Sequence, residues 1–297
     1  MSLKSSLRGT GVAIVTPFNE DHTIDFEALG KIIDFQIDGG IEYLVTLGTT
    51  GETPTISKEE QVQIIEYTYE KVAGRVPVVV GIGGNNTQAV VEQLKSFPLE
   101  KAVAVLSSAP YYSKPSQEGI YQHYKALAAA SPKPILLYNV PHRTGKNIDA
   151  ETVIRLAKEV PGIGGIKEAC GNFTQFAKIL RDAPQDFLVT SGEDDIAIPQ
   201  IAMGMQGVIT VAGNAFPKEV STIVRLALEG KFKEATALNN KILDVFTLLF
   251  NENNPAGVKA FLFEKGLIKN ELRLPVVPLS APNQQKIKDF LNSYKAD

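Results

Sequence analysis

Eight short runs rich in valine, isoleucine and leucine punctuate the first three quarters of this chain, and a longer amphipathic stretch follows each. The runs cover residues 11–18, 43–48, 76–83, 102–110, 134–141, 162–169, 187–193 and 206–213. Their starts recur at about 20 to 33 residues, the spacing of repeated strand–helix units. The runs lack a polar–apolar alternation, which marks strands buried on both faces of a parallel sheet. Eight such units predict an α/β fold, a (β/α)8 barrel of about 220–250 residues. The rival is a doubly wound open sheet. It is disfavoured because no G-x-G-x-x-G follows the first run, and Gly81-Ile82-Gly83-Gly84 has the wrong spacing.

The intervening stretches carry helix signals. Asp25 precedes Leu29, Ile32, Ile33 and Ile37 on one face, and Ser57 with Glu60 forms an S-x-x-E capping box. Ser116, Asp149 and Asn172 stand where caps are expected, and Pro217 suits a first helical turn. Beyond Glu229 the pattern predicts helices at 231–250, 255–265 and 282–294 and no further strand. Residues 272–281 carry Pro275 and Pro278 and end before Pro282, which predicts an extended tether. The expected division is therefore a barrel over residues 1–229 and a helical extension over 230–297.

Composition narrows the function. Lysine plus arginine number 30 against 33 acids, so the net charge of −3 offers no basic footprint for nucleic acid or anionic lipid. The single cysteine, Cys170, excludes an intramolecular disulfide framework. Residues 1–10 hold no apolar signal core, and no run approaches the ~18 apolar residues that span a bilayer. A cytoplasmic protein without membrane association is expected.

In such barrels the chemistry sits at the C-terminal ends of the strands. Those ends supply Gly48-Thr49-Thr50-Gly51-Glu52, Pro110-Tyr111-Tyr112-Ser113, Tyr138 through Gly145, Lys167-Glu168 and Ser191 through Asp195. Lys167 ends a glycine-rich apolar run. It either snorkels to water or stands in an apolar pocket, where an amine can condense with a carbonyl. Tyrosine and threonine hydroxyls can move protons, and glycine-flanked N–H groups can hold a carboxylate. His22, His123 and His142 are scattered without metal-ligand spacing, so no metal is expected. Cys170 reads as a small buried hydrophobe, and His142 as a residue of the loop rim.

Gly48-Thr49-Thr50-Gly51-Glu52, Tyr138-Asn139-Val140-Pro141 and Gly165-Ile166-Lys167-Glu168 resemble the class I aldolase family of dihydrodipicolinate synthase and N-acetylneuraminate lyase. The likeness runs over nearly the whole chain. It implies a Schiff base between Lys167 and pyruvate, with no cofactor beyond the protein lysine. Tyr138 would position substrate and pass protons. Thr49, Tyr138 and Tyr112 would form a proton relay, Tyr112 reaching a neighbouring subunit's site. Thr50 would hold the pyruvate carboxylate, and the backbone near Gly192 and Ile209 would line the pocket. Arg143 matches the synthase pattern, in which it binds the carboxylate of L-aspartate 4-semialdehyde. The implied activity is condensation of these two substrates to 4-hydroxy-tetrahydrodipicolinate, in lysine and diaminopimelate biosynthesis, by a homotetramer.

Two alternatives share the pattern: a lyase or aldolase for sialic acid or a 2-keto-3-deoxy sugar acid, and a non-catalytic keto-acid binder. A planar guanidinium pairs a carboxylate in a way a neutral sugar does not, which favours the synthase. At the positions of the family's lysine-effector site the chain carries Lys58, Gln61 and Ala89, with Asn85 and Tyr111 kept. Weak or absent inhibition by lysine is expected, and a low-micromolar inhibition constant would contradict that.

Overall fold

The computed structural model of the chain describes residues 2–294; Met1 and residues 295–297, the tip of the expected extension, lie outside them. Eight strands pair in sequence order: β1 (Gly9–Ala13), β2 (Tyr43–Thr46), β3 (Val78–Gly81), β4 (Ala104–Ser108), β5 (Ile135–Asn139), β6 (Ile163–Glu168), β7 (Leu188–Ser191) and β8 (Gly207–Thr210). Every pairing is parallel, and β1 pairs both β2 and β8, so the sheet closes into a barrel. The open-sheet alternative is thereby removed.

Successive side chains alternate between the two faces of the barrel wall. Leu136, Tyr138, Leu188 and Ile209 join an interior cluster, which Leu3 and Leu7 complete around the short helix α1 (Leu3–Ser6). Leu137, Ile166 and Val189 belong to the larger cluster beneath the surrounding helices. Those helices are α2 (Phe26–Asp38), α3 (Lys58–Val72), α4 (Thr87–Ser96), α5 (Gln117–Ala130), α6 (Pro141–Thr144), α7 (Ala150–Glu159), α8 (Phe173–Asp182), α9 (Ala197–Ala202) and α10 (Pro217–Leu228). Four more follow: α11 (Phe232–Lys241), α12 (Leu243–Leu248), α13 (Ala256–Glu264) and α14 (Ala281–Tyr294).

The caps at Asp25, Ser116 and Asn172 form, and Ser57 with Glu60 closes both halves of the capping box. Asp149 differs. Its side chain caps nothing, because Asn147 Nδ2 donates to its carboxylate at 2.8 Å. The first strand also differs from the expected 11–18. It begins at Gly9, where φ is +110° and a side chain would collide with Glu42. It ends at Ala13; Val15 N–H then leaves the ladder for the Asn214 side chain at 3.1 Å, and Pro17 has no N–H to give. The single helix expected over 231–250 is two helices. Ile242 breaks it with φ −117° and ψ 15°, a turn that buries Ile242 and Val245 together. The helices α4 and α9 lie in two of the stretches expected to be helical, where the sequence offered no named cap; Asn86 caps α4, and no side chain caps α9.

Candidate active site

The register across β5 and β6 sets Tyr138 opposite Lys167 and Asn139 opposite Glu168. Tyr138 belongs to the interior cluster, so its partner Lys167 shares the barrel's upper interior while Asn139 and Glu168 face the helices. Lys167 is only 4% exposed, and its Nζ lies 4.4 Å from the centroid of the Tyr138 ring. Among the described residues no carboxylate stands within ion-pair distance of it. The amine is thus sheltered, unpaired and set against an aromatic face.

Gly192, at the end of β7, presses on this lysine. A Cβ there would fall 2.7 Å from Ala169 Cβ and 3.0 Å from Lys167 Cε, so glycine lets the backbone approach. Gly192 N–H donates to the Glu168 carbonyl at 2.8 Å and continues the ladder past the lysine. Ile209 is fully buried in the interior cluster below.

Behind the lysine strand a polar network ties these ends to α7 and α8. Glu168 accepts from Asn139 Nδ2 at 2.8 Å and from Gln175 Nε2 at 2.9 Å. Burial pushes its carboxyl up to about 7, against the pull of these donors. Asn139 also bonds Asn147 at 2.8 Å, and Ile148 N–H donates to its Oδ1 at 3.0 Å. Glu193 is likewise raised to about 7, by burial first and then by Asp195 and Asp194, while Lys167 and Arg143 pull it down. Asp194 accepts from the N–H groups of Val211 and Ala212 at 3.0 and 2.9 Å, so it secures the exit of β8 instead of capping α9.

A cavity of about 540 Å³ opens over this end of the barrel. Gly48, Thr49, Ser108, Tyr138, Val140 and Arg143 line it. Arg143 lies on α6, exposed, and its guanidinium has no partner among the described residues. Lys58, Gln61 and Tyr111 stand on the same wall, whereas Asn85 and Ala89 do not. The arrangement suits an anionic substrate: a cation at the wall, hydroxyls around the cavity and a sheltered amine over the tyrosine ring.

Sequence and architecture of this kind extend over known proteins. The chain matches the dihydrodipicolinate synthetase family over residues 6–294. The chain belongs to that family. A 4-hydroxy-tetrahydrodipicolinate synthase of Parabacteroides distasonis is 51% identical over 286 residues, 96% of each chain. The chloride-inhibited dihydrodipicolinate synthase of Acinetobacter baumannii, solved with pyruvate, superposes with a TM-score of 0.94 at 38% identity, covering 97% of this chain and 99% of that one. A synthase variant described as monomeric superposes at 0.95 with 37% identity over 99% of both chains.

The family's motif residues fall in two groups here. Thr49, Tyr138 and Arg143 line the cavity, Lys167 adjoins the Tyr138 ring from within, and Gly192 presses on Lys167. Tyr112 does not come to the cavity of its own chain. It is 89% exposed with φ +70°, at the tip of the segment after β4. Thr50 is buried beside the cavity, and Asn254 Nδ2 donates to its Oγ1 at 3.1 Å. His142 is exposed on α6, and burial pushes the Cys170 thiol up to about 12, far from a nucleophile's range.

Lys259 and Arg273, which the sequence reading did not single out, complete the surroundings. Glu52 forms a buried ion pair with Lys259 of α13, and Lys259 Nζ lies 4.2 Å from the Phe18 ring centroid. Arg273 binds Glu60 through both terminal nitrogens, at 2.8 and 2.6 Å, and pins the proline-rich tether to α3. The available signal was a lone charge, Lys259, in the otherwise apolar first turns of α13.

Proposed function

We propose that the chain condenses pyruvate with L-aspartate 4-semialdehyde to 4-hydroxy-tetrahydrodipicolinate, a lyase-class aldolase step of lysine and diaminopimelate biosynthesis. The observation that carries this reading is the buried, unpaired Lys167 over the Tyr138 ring, beside a cavity whose wall bears Arg143. The Lys167 amine adds to the pyruvate carbonyl and expels water, giving a Schiff base. Loss of a methyl proton gives the enamine, whose carbon bonds to the semialdehyde carbon while that oxygen takes a proton. The acceptor's own amine then attacks the Schiff-base carbon, closes the ring and releases Lys167.

In this scheme Tyr138 and Thr49 move protons together with Tyr112 of a neighbouring copy. Thr50 and the backbone near Gly192 and Ile209 hold pyruvate, and Arg143 pairs the carboxylate of the semialdehyde. The exposure of Tyr111 and Tyr112 on one tip supports self-association, for which we propose a homotetramer. Among the described residues no helix is long and apolar enough to cross a membrane; a cytoplasmic enzyme is the natural setting. We divide the chain into the barrel, 1–229, and a helical extension, 230–297.

The test is pyruvate consumption with aspartate semialdehyde, run beside N-acetylmannosamine and glyceraldehyde. Consumption with the semialdehyde alone is expected. Consumption with a sugar aldehyde instead would move the chain to the lyase branch and leave Arg143 a structural residue.

A further inference from the structure

The loop that carries Thr49 and Thr50 is gripped by a segment about 200 residues away. Thr50 is 2% exposed, in the single turn Thr49–Gly51 that leaves β2. Its Oγ1 accepts from Asn254 Nδ2 at 3.1 Å. Two residues on, Glu52 adopts a left-handed conformation (φ +56°) that non-glycine residues visit rarely. Its carboxylate is held by Lys259 and by the Arg273 backbone N–H at 3.1 Å. Lys259 is itself fixed by the Glu271 carbonyl at 3.0 Å. Asn254 and Lys259 flank the start of α13, so one element holds the hydroxyl and the carboxylate of the same loop. The chain entering α13 is closely seated: a Cβ at Gly257 would fall 2.2 Å from the Leu249 carbonyl oxygen, which leaves room only for glycine.

We propose that Asn254 is a positioning residue that directs the Thr50 hydroxyl proton toward the substrate carboxylate; this rests on the proposed role of Thr50 toward pyruvate. A hydroxyl has one proton and two acceptor lone pairs. An amide NH₂ can only donate, so the contact with Asn254 occupies a lone pair and cannot take the proton. The Thr50 proton is left for another acceptor. An oriented hydroxyl binds an anion without first having to turn away from a competing partner, so the loop meets pyruvate already arranged as a donor. Asn254 Oδ1 is buried and unpartnered among the described residues.

The kinetics of Asn254→Ala, Asn254→Asp, Thr50→Val and the N254A/T50V double variant test this, with pyruvate and aspartate semialdehyde varied separately. Asn254→Ala frees the hydroxyl, and the KM for pyruvate rises roughly tenfold, the scale of one hydrogen bond in a buried site. The KM for the semialdehyde and kcat stay within about twofold of wild type. Added to T50V, N254A raises the pyruvate KM no further, because the group it directs is gone. Asn254→Asp keeps the shape but replaces the donor with an acceptor; it raises the pyruvate KM at least as much, and supplies the result should Asn254→Ala fail to fold. An unchanged pyruvate KM in both Asn254 variants, with a raised one in Thr50→Val, overturns the proposal while the role of Thr50 stands. Equal rises in both substrates' KM overturn it as well, since they report general loosening. A wild-type pyruvate KM in Thr50→Val removes the role of Thr50 and the proposal with it.

Discussion

Lys167 Nζ lies 4.4 Å from the centroid of the Tyr138 ring, and the two residues are register partners on adjacent strands. The ring shelters the amine, and the phenol hydroxyl is free of any hydrogen bond within the described residues, so ring and hydroxyl do separable work. Tyr138→Phe keeps the first and removes the second. Turnover is expected to fall roughly 10²- to 10⁴-fold, the range for losing a positioned acid–base group. The pyruvate adduct should still be trapped on Lys167. A Tyr138→Phe enzyme with wild-type kcat would show that the hydroxyl carries no proton in the rate-limiting steps.

Arg143 stands on the cavity wall with an unpaired guanidinium. Arg143→Ala should lower kcat/KM for aspartate semialdehyde roughly 10- to 100-fold, the worth of a charged hydrogen bond. Trapping of pyruvate alone should be unaffected. Steady-state kinetics with each substrate varied separates the two, and a selective loss of pyruvate affinity would contradict the assignment.

Much of this was legible from the chain. The eight apolar runs announced the strand count because strands buried on both faces of a parallel sheet show no polar alternation, and Lys167 stood out as the one basic residue in any of the runs. The start of β1 was hidden in Gly9-Thr10, which look like a turn until β8 pairs with them. The contacts of Asn254 and Lys259 were hidden for a different reason. Their partners, Thr50 and Glu52, lie about 200 residues earlier, and neither helical nor strand periodicity encodes a contact of that range. The role proposed for Tyr112 rests on the family likeness alone, since its side chain is exposed in this chain.

The Glu52–Lys259 pair is almost wholly buried, at 1% and 0% side-chain exposure. Removing one partner leaves the other charged in an apolar setting, so Lys259→Met should destabilise the fold by roughly 3–5 kcal/mol. The double variant with Glu52→Gln should recover much of that loss, because no bare charge remains. Urea denaturation of the three proteins checks this; equal stability for both single and double variants would contradict it.

His123 is buried on α5 with Thr87 Oγ1 at 2.8 Å from Nδ1 and no partner on Nε2. Burial lowers it to about 4, against 6.5 when free. The unfolded chain therefore binds the proton first. The stability from a neutral His123 is complete above pH 6.5 and is lost as pH falls toward 4, by up to about 3 kcal/mol. Glu168, raised to about 7, acts in the opposite sense: its contribution is present below about 4.5 and is lost as pH rises through 7. His123→Leu should consequently lose less stability than wild type between pH 7 and pH 4.5. Denaturant midpoints across that range measure it, and parallel curves would contradict a buried neutral histidine.

In the proposed reaction Lys167 is the covalent residue. The direct measurement is borohydride reduction in the presence of pyruvate, followed by peptide mass mapping of the wild type and of Lys167→Ala. One reduced pyruvyl group is expected on the peptide bearing Lys167. Lys167→Ala should keep the wild-type melting temperature, carry no adduct and turn over at least ~10³-fold more slowly. An adduct mapped to another lysine, or wild-type turnover in Lys167→Ala, would contradict the account.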